Sequence, residues 1–211
     1  MTSLVKYPKT MHLPWSPGIT NDDKVLSDVS HLEGAEIVIT EKMDGENANC
    51  YPDGYTHARS LDSRAHPSRD WVKQFWSSRS YFLEQGLRVC GENLFARHSI
   101  PYEDLTSYFM GFSVWRGEYC LPWDETMNIF TYLDITPVPV IYRGQFNEKH
   151  VRSLKIRDNQ EGYVVRLAAG FFMDDFKISV AKYVRPNHVQ TDEHWMNAEI
   201  IKNGLRSNHA S

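Results

Sequence analysis

A β-branched apolar run, Ile37-Val38-Ile39, breaks off into the charged stretch Thr40-Glu41-Lys42-Met43-Asp44-Gly45-Glu46-Asn47. The run reads as a short strand over about 36–40, and the stretch as its exit loop. Asp-Gly is a common turn signal, so on local grounds the loop serves equally well as a hairpin turn. Downstream, the chain repeats the pattern of short strands and tight links. Residues 47–51 and 55–60 flank Pro52-Asp53-Gly54, a hairpin connection with a glycine available for positive φ. Further strands are expected at 87–95, 108–115, 138–142, 161–167 and 176–185, with Arg116-Gly117-Glu118-Tyr119 as a turn.

Helical spacing appears in between. Trp71, Phe75, Phe82 and Leu83, with Trp76 beside them, predict a core-facing helix after a cap at Asp70, ended by Gly86. Residues 124–133, 147–154 and 191–205 predict three more, the last with Trp195, Ala198 and Ile201 on one side. Strands joined by hairpins and interrupted by helices predict an α+β fold with antiparallel sheets. Residues 1–30 carry Pro8, Pro14, Pro17 and Gly18 and read as an irregular arm. Its stretch Lys9-Thr10-Met11-His12-Leu13-Pro14-Trp15 is expected to lie against the domain near the site. The body would then be 31–186, and 187–211 a short helix and tail.

With 211 residues the chain can bury roughly 70 % of its unfolded surface as a single domain, without metal or disulfide staples. Cys50, Cys90 and Cys120 are an odd set without CxxC spacing, which points away from a disulfide framework and toward a reducing, cytoplasmic home. No apolar run approaches the ~20 residues that cross a bilayer, so no membrane partner is expected. A net charge of -4 argues against a chain that coats nucleic acid, yet leaves room for a local basic groove at Arg59, Arg64, Arg69 and Lys73. His12, His66, His98, His188 and His194 show no metal-ligand spacing and read as surface or core residues.

As a nucleophile Lys42 faces a difficulty. An ordinary lysine is protonated near neutrality, and neighbouring carboxylates hold the proton more firmly still. Glu41 and Asp44 are therefore better placed as metal holders, ribose contacts or leaving-group orienters. The lysine makes chemical sense only beside a magnesium ion or other cations.

Lys42-Met43-Asp44-Gly45, Gly91-Glu92-Asn93-Leu94-Phe95, Phe112-Ser113-Val114-Trp115, Glu161-Gly162-Tyr163-Val164-Val165 and Val180-Ala181-Lys182-Tyr183 succeed one another in that order. The series resembles the motifs of the covalent nucleotidyltransferases, the superfamily of ATP-dependent RNA and DNA ligases and mRNA capping enzymes. It is most similar to the phage and bacterial RNA ligases, over about residues 36–186. The resemblance implies an antiparallel-sheet, ATP-grasp-like adenylyltransferase domain with flanking helices. Lys42 would attack the α-phosphorus of ATP, and the adenylate would pass to an RNA 5′-phosphate before a 3′-hydroxyl displaces AMP. Lys42 and Lys182 would be catalytic; Glu41, Asp44, Arg59, Glu92, Phe112 and Glu161 would complete the nucleotide site. Glu92 is implied as the ribose contact, Phe112 as the adenine stack, with Phe109 or Trp115 as alternatives. Glu161 and Asp44 would serve Mg2+ or Mn2+. Arg59, with Arg64 as its rival, Lys73 and Arg185 would meet the RNA.

Two departures stand out. The family pattern places two lysines one residue apart at the last motif, and Val180 occupies the first place, leaving Lys177 or Arg185 to fill in. After Arg185 only about 25 residues remain, too few for an oligonucleotide-binding barrel. The chain would then be either a minimal stand-alone catalytic domain or one that borrows its RNA grip from a partner, with His188-Val189-Gln190-Thr191 and Trp195 packing over the site instead. The alternatives within the superfamily are a DNA nick ligase and a capping guanylyltransferase; outside it, a non-enzymatic RNA- or nucleotide-binding relative.

Overall fold

In the computed structural model, which describes residues 3–186, 188 and 199–207, the apolar run is the middle of a strand, Glu36–Lys42, and all three residues are fully buried. Side chains alternate along a strand, so Ile37 and Ile39 enter one core while Val38 enters another. A strand of this kind needs cover on both faces. It obtains cover because the chain builds two sheets.

In chain order the strands are β1 (Met11–His12), β2 (Glu36–Lys42), β3 (Glu46–Cys50), β4 (Thr56–Ala58), β5 (Leu87–Asn93) and β6 (Phe109–Arg116). They continue with β7 (Tyr119–Cys120), β8 (Thr136–Pro137), β9 (Val140–Gln145), β10 (Gly162–Leu167), β11 (Phe171–Phe172) and β12 (Val180–Val184). One sheet has the order β1-β12-β10-β2-β9 and the other β11-β7-β6-β5-β3-β4, with β8 beside β6. These strands pair antiparallel except at β1–β12 and β6–β8. The chain leaves the first sheet at the end of β2 and enters the second at β3, so Met43-Asp44-Gly45 bridges the two. Their facing sides share cores: Val164 and Val180 pack with Cys90 and Trp115.

Helices cover the outer faces. α1 (Asp70–Ser77) and α2 (Trp123–Tyr132) send Val72, Trp76 and Phe130 against Val89, Phe109 and Val114. α2 comes so close to β6 that a Cβ on Gly111 would meet the Phe130 ring at 2.4 Å. α3 (Glu148–Arg152) begins at Asn147, whose side chain caps the His150 N–H, and contributes Val151 to the core under the first sheet. The α+β expectation is borne out, and none of the helices among the described residues is long and apolar enough to cross a membrane.

Three expectations need correction. α1 stops at Ser77 and a 3-10 turn, Ser80–Phe82, comes after it, which leaves Phe82 56 % exposed rather than in the core. The segment read as one strand over 176–185 starts with a helical turn, α4 (Phe176–Ser179), and only then becomes β12. Of the terminal helix, 191–198 lie outside the described residues, while 199–205 are extended, bridging Ala96 through Lys202 and Leu105 through Leu205.

The arm is tied down. β1 runs parallel to β12 with His12 opposite Lys182, Leu13 is fully buried, and the Trp15 indole N–H donates to the Tyr163 hydroxyl at 3.0 Å. Gly18 presses on β12 so closely that a Cβ would lie 2.6 Å from Val184 Cγ1.

Candidate active site

A cleft of about 1120 Å3 opens where the two sheets meet, large enough for a nucleotide and more. β2 delivers Lys42 to it at the strand end, and β10 delivers Glu161 just before its first residue; in register, Gly162 faces Lys42. The Lys42 ammonium donates to Glu161 Oε2 at 2.6 Å. β5 contributes Glu92 from the second sheet, β12 contributes Lys182, and β6 contributes the half-buried ring of Phe112. Glu41, Asp44, Arg59 and Arg64 also line the cleft.

The acids are placed differently. Asp44 Oδ2 accepts from the Ser99 N–H, the Ser99 hydroxyl and the Ile100 N–H at 2.9, 2.6 and 2.8 Å. Burial opposes its charge, but His188, Ser99 and Ile100 outweigh burial and bring its pKa down to about 2. Glu92 goes the other way. Burial and the charges of Glu161 and Asp44 push it up to about 8, against the pull of Lys42. Glu41 accepts from the Gln160 amide at 2.8 Å, fixing the loop that leads to Glu161.

Burial would lower the pKa of Lys42, yet Glu161, Glu92 and Asp44 hold it above its ordinary value. The amine is therefore protonated and parked on Glu161. Lys182 is lowered by burial and by the nearby charge of Lys42, against the pull of Asp23. Two ammonium groups thus repel across the cleft, each steadied by its own carboxylate.

Asp44, Glu161 and His188 each offer a ligand atom, all within 4.8 Å of one another. His188 Nε2 lies 3.7 Å from Asp44 Oδ1 and 3.5 Å from Glu161 Oε1, the oxygens not taken up by Ser99 or Lys42. Two anionic oxygens suit a hard divalent cation such as magnesium or manganese. The sequence reads His188 as a surface or core residue, and the structure corrects that. A single histidine beyond the last motif carries no spacing signal; the expectation that its segment packs over the site is met at His188, while 189–191 and Trp195 lie outside the described residues.

Not every expected residue converges. Lys73 sits on α1 paired with Asp70 and borders a smaller adjoining cavity of about 190 Å3. Arg185 does not line the cleft; its Nε donates to the Gln160 carbonyl at 2.8 Å and braces the loop before Glu161. Lys177 is exposed on α4, away from the cleft, so it does not stand in for a lysine at Val180. Phe109 and Trp115 are fully buried outside the cleft, so of the three candidate rings Phe112 alone lines it, backed edge-on by Tyr7 at 5.4 Å. Asp23, in the arm, joins the site with no sequence signal to announce it. Its Oδ1 holds Lys182 at 3.3 Å, while Oδ2 takes the Thr20 N–H and hydroxyl and faces His12 Nε2 at 3.2 Å.

The RNA ligase family model matches residues 35–184. The chain belongs to the RNA ligase family. Among solved structures this RNA ligase relative resembles Naegleria gruberi RNA ligase: one mutant of it with ATP and Mn aligns at 15 % identity and TM-score 0.56, covering 87 % of this chain and 61 % of that one. A second mutant with ATP and Mn and a third with AMP and Mn each align at 16 % identity and TM-score 0.54, covering 74 % of this chain and 52 % of theirs. At such identity the likeness is one of fold. The chain spans between half and three-fifths of the length of those structures. No curated protein matches the sequence.

Proposed function

We propose that this chain is an ATP-dependent RNA ligase, joining 3′-hydroxyl and 5′-phosphate RNA ends through a lysyl-adenylate on Lys42. The observation that carries the reading is the meeting of Lys42, Glu161, Glu92, Phe112 and Lys182, from five strands or their ends, in one cleft. Support also comes from the fold-level relatives, which were solved with ATP or AMP and manganese.

The Nζ lone pair of Lys42 attacks the α-phosphorus; the N–P bond forms, the bond to the bridging oxygen breaks, and pyrophosphate leaves. Because the resting amine is an ammonium, two protons leave Nζ: the first passes to Glu161 Oε2, already at 2.6 Å, and frees the lone pair, and the second departs with pyrophosphate as the N–P bond forms. Lys182 donates to α-phosphate oxygens, where negative charge gathers. Glu92, carrying a proton for much of the time near neutrality, both donates to and accepts from ribose hydroxyls. Phe112 stacks on the base. Asp44 and Glu161, with His188 beside them, would hold a magnesium or manganese ion, which would supply positive charge to the phosphates. Arg59 and Arg64, on the rim beyond β4, contact RNA phosphate, while Lys73 and Arg185 act further out. A partner domain or protein is expected to add to the RNA grip. Three buried free cysteines fit a cytoplasmic setting.

The test is to incubate the protein with α-labelled ATP, magnesium and pyrophosphatase, then run a denaturing gel. Label should stay on the native chain and disappear in Lys42→Ala. An unlabelled native chain would sink the proposal. Offering GTP, and nicks in DNA against nicks in RNA, separates ligation of RNA from capping and from DNA sealing.

A further inference from the structure

The phosphate grip contains a single strand-borne lysine, Lys182, because Val180 fills the neighbouring inward position and Lys177 lies elsewhere. A second cation nonetheless reaches the same place from the arm. Lys9 lines the cleft, and its Nζ lies 3.9 Å from Asp23 Oδ1, the oxygen that holds Lys182 at 3.3 Å. One of its protons is given to the Asp22 carbonyl oxygen.

We propose that Lys9 is a nucleotide-binding residue that contacts the β- and γ-phosphates of a nucleoside triphosphate while Lys182 contacts the α-phosphate. The inference rests on the adenylate-forming reading above and adds to it a subsite supplied by the arm.

Lys9 lies between two anchors: Tyr7, buried and edge-on to Phe112, Trp115 and Phe176, and β1, which pairs with the strand that carries Lys182. The backbone at residue 9 is thus fixed relative to Lys182 although its side chain is 37 % exposed. Charge points the same way as position. An ammonium has three donors, and a shared carboxylate takes at most one from each lysine, which leaves donors for phosphate oxygens. Asp23 can hold two cations because its own geometry is fixed by Thr20, and it acts here as a positioning residue. Both ammonium groups gather at one oxygen, so they stand at neighbouring phosphates of a polyphosphate rather than at separate ligands.

The test measures equilibrium binding, by calorimetry with magnesium, of AMP and of the α,β-methylene analogue of ATP, in which a carbon bridge prevents adenylate transfer. Lys9→Ala removes an exposed side chain, and circular dichroism checks that the variant is folded. Affinity for the triphosphate analogue is expected to fall about tenfold, the size of one charge-assisted contact, with AMP affinity unchanged. Equal affinity for the analogue in native protein and variant, or equal weakening toward both nucleotides, overturns the inference and leaves the ligase reading standing. Failure of native protein to bind either nucleotide overturns both.

Discussion

Gly162 stands between two strands with no space for a methyl group: a Cβ there would lie 1.9 Å from the Tyr183 carbonyl oxygen. Since that neighbour is backbone, no rotamer change relieves the overlap, and the strands must separate beside Glu161 and Lys42. Gly162→Ala should cost about 3 kcal/mol, read as a fall in denaturant midpoint at constant slope. Its partner in register, Lys42, invites a chemical test. With Glu161→Gln the strongest acidic neighbour is gone, so burial and Lys182 should bring the amine's pKa below its present raised value. Acylation of Lys42 by an amine-directed reagent in metal-free protein near pH 8, read by mass spectrometry, should then be faster than in native protein; equal or slower labelling would contradict the account. Lys42, Glu92, Phe112 and Glu161 were legible in the sequence because each sits in a local string, the first, second and fourth at or next to a strand end and Phe112 within β6. The pairing of Asp23 with Lys182 was not, since the two are 159 residues apart.

At the scale of elements, the arm and β12 behave as one unit, and acid should loosen it. His12 is fully buried against Ser16 and Asp23, and burial, with the charge of Lys182, lowers its pKa from 6.5 to about 4. Between those values the unfolded chain binds a proton that the folded chain refuses, so stability is lost as pH falls from 6.5 toward 4. At Asp23 burial opposes the charge but Thr20 and Lys182 outweigh it, and a pKa of about 2 extends the loss below the ordinary 3.8. Denaturant midpoints from pH 7 to pH 4 should drop in native protein and drop less in His12→Asn. A parallel fall in both proteins would remove His12 from the explanation. Elements misread from sequence share a cause. Phe176, Ile178 and Val180 alternate like a strand, yet the first two lie on a helical turn; Trp195, Ala198 and Ile201 space like a helix, yet 199–205 are extended against the loop at 94–105. In such short stretches periodicity is outweighed by the surface against which the chain must lie.

For the molecule as a whole, two sheets joined at Met43-Asp44-Gly45 form a cleft whose walls are held together mainly by the cores behind them. A ligand spanning both walls should stabilise the entire fold. ATP with magnesium at a hundredfold its dissociation constant adds about 2.7 kcal/mol, a rise in Tm of roughly 5–10 °C for a chain of this size. Scanning calorimetry checks this, and no shift with saturating nucleotide would contradict a cleft that binds across both sheets. The α+β architecture was legible because strand, turn and helix signals agree along most of the body. The way the arm and His188 complete the cleft was not, because no local pattern encodes contact between distant segments.

Asn203 gives that closure a consequence in time. Its side chain donates to the Leu94 carbonyl oxygen at 2.8 Å and accepts from the Tyr102 N–H at 3.0 Å, bracing the loop whose Ser99 and Ile100 hold Asp44. Lys9 and Lys42 leave the ribosome well before Lys182 and Asn203. A nascent chain therefore displays Lys42 long before the facing parts of the cleft exist, and the cleft is complete only once the segment through Asn203 has been synthesised.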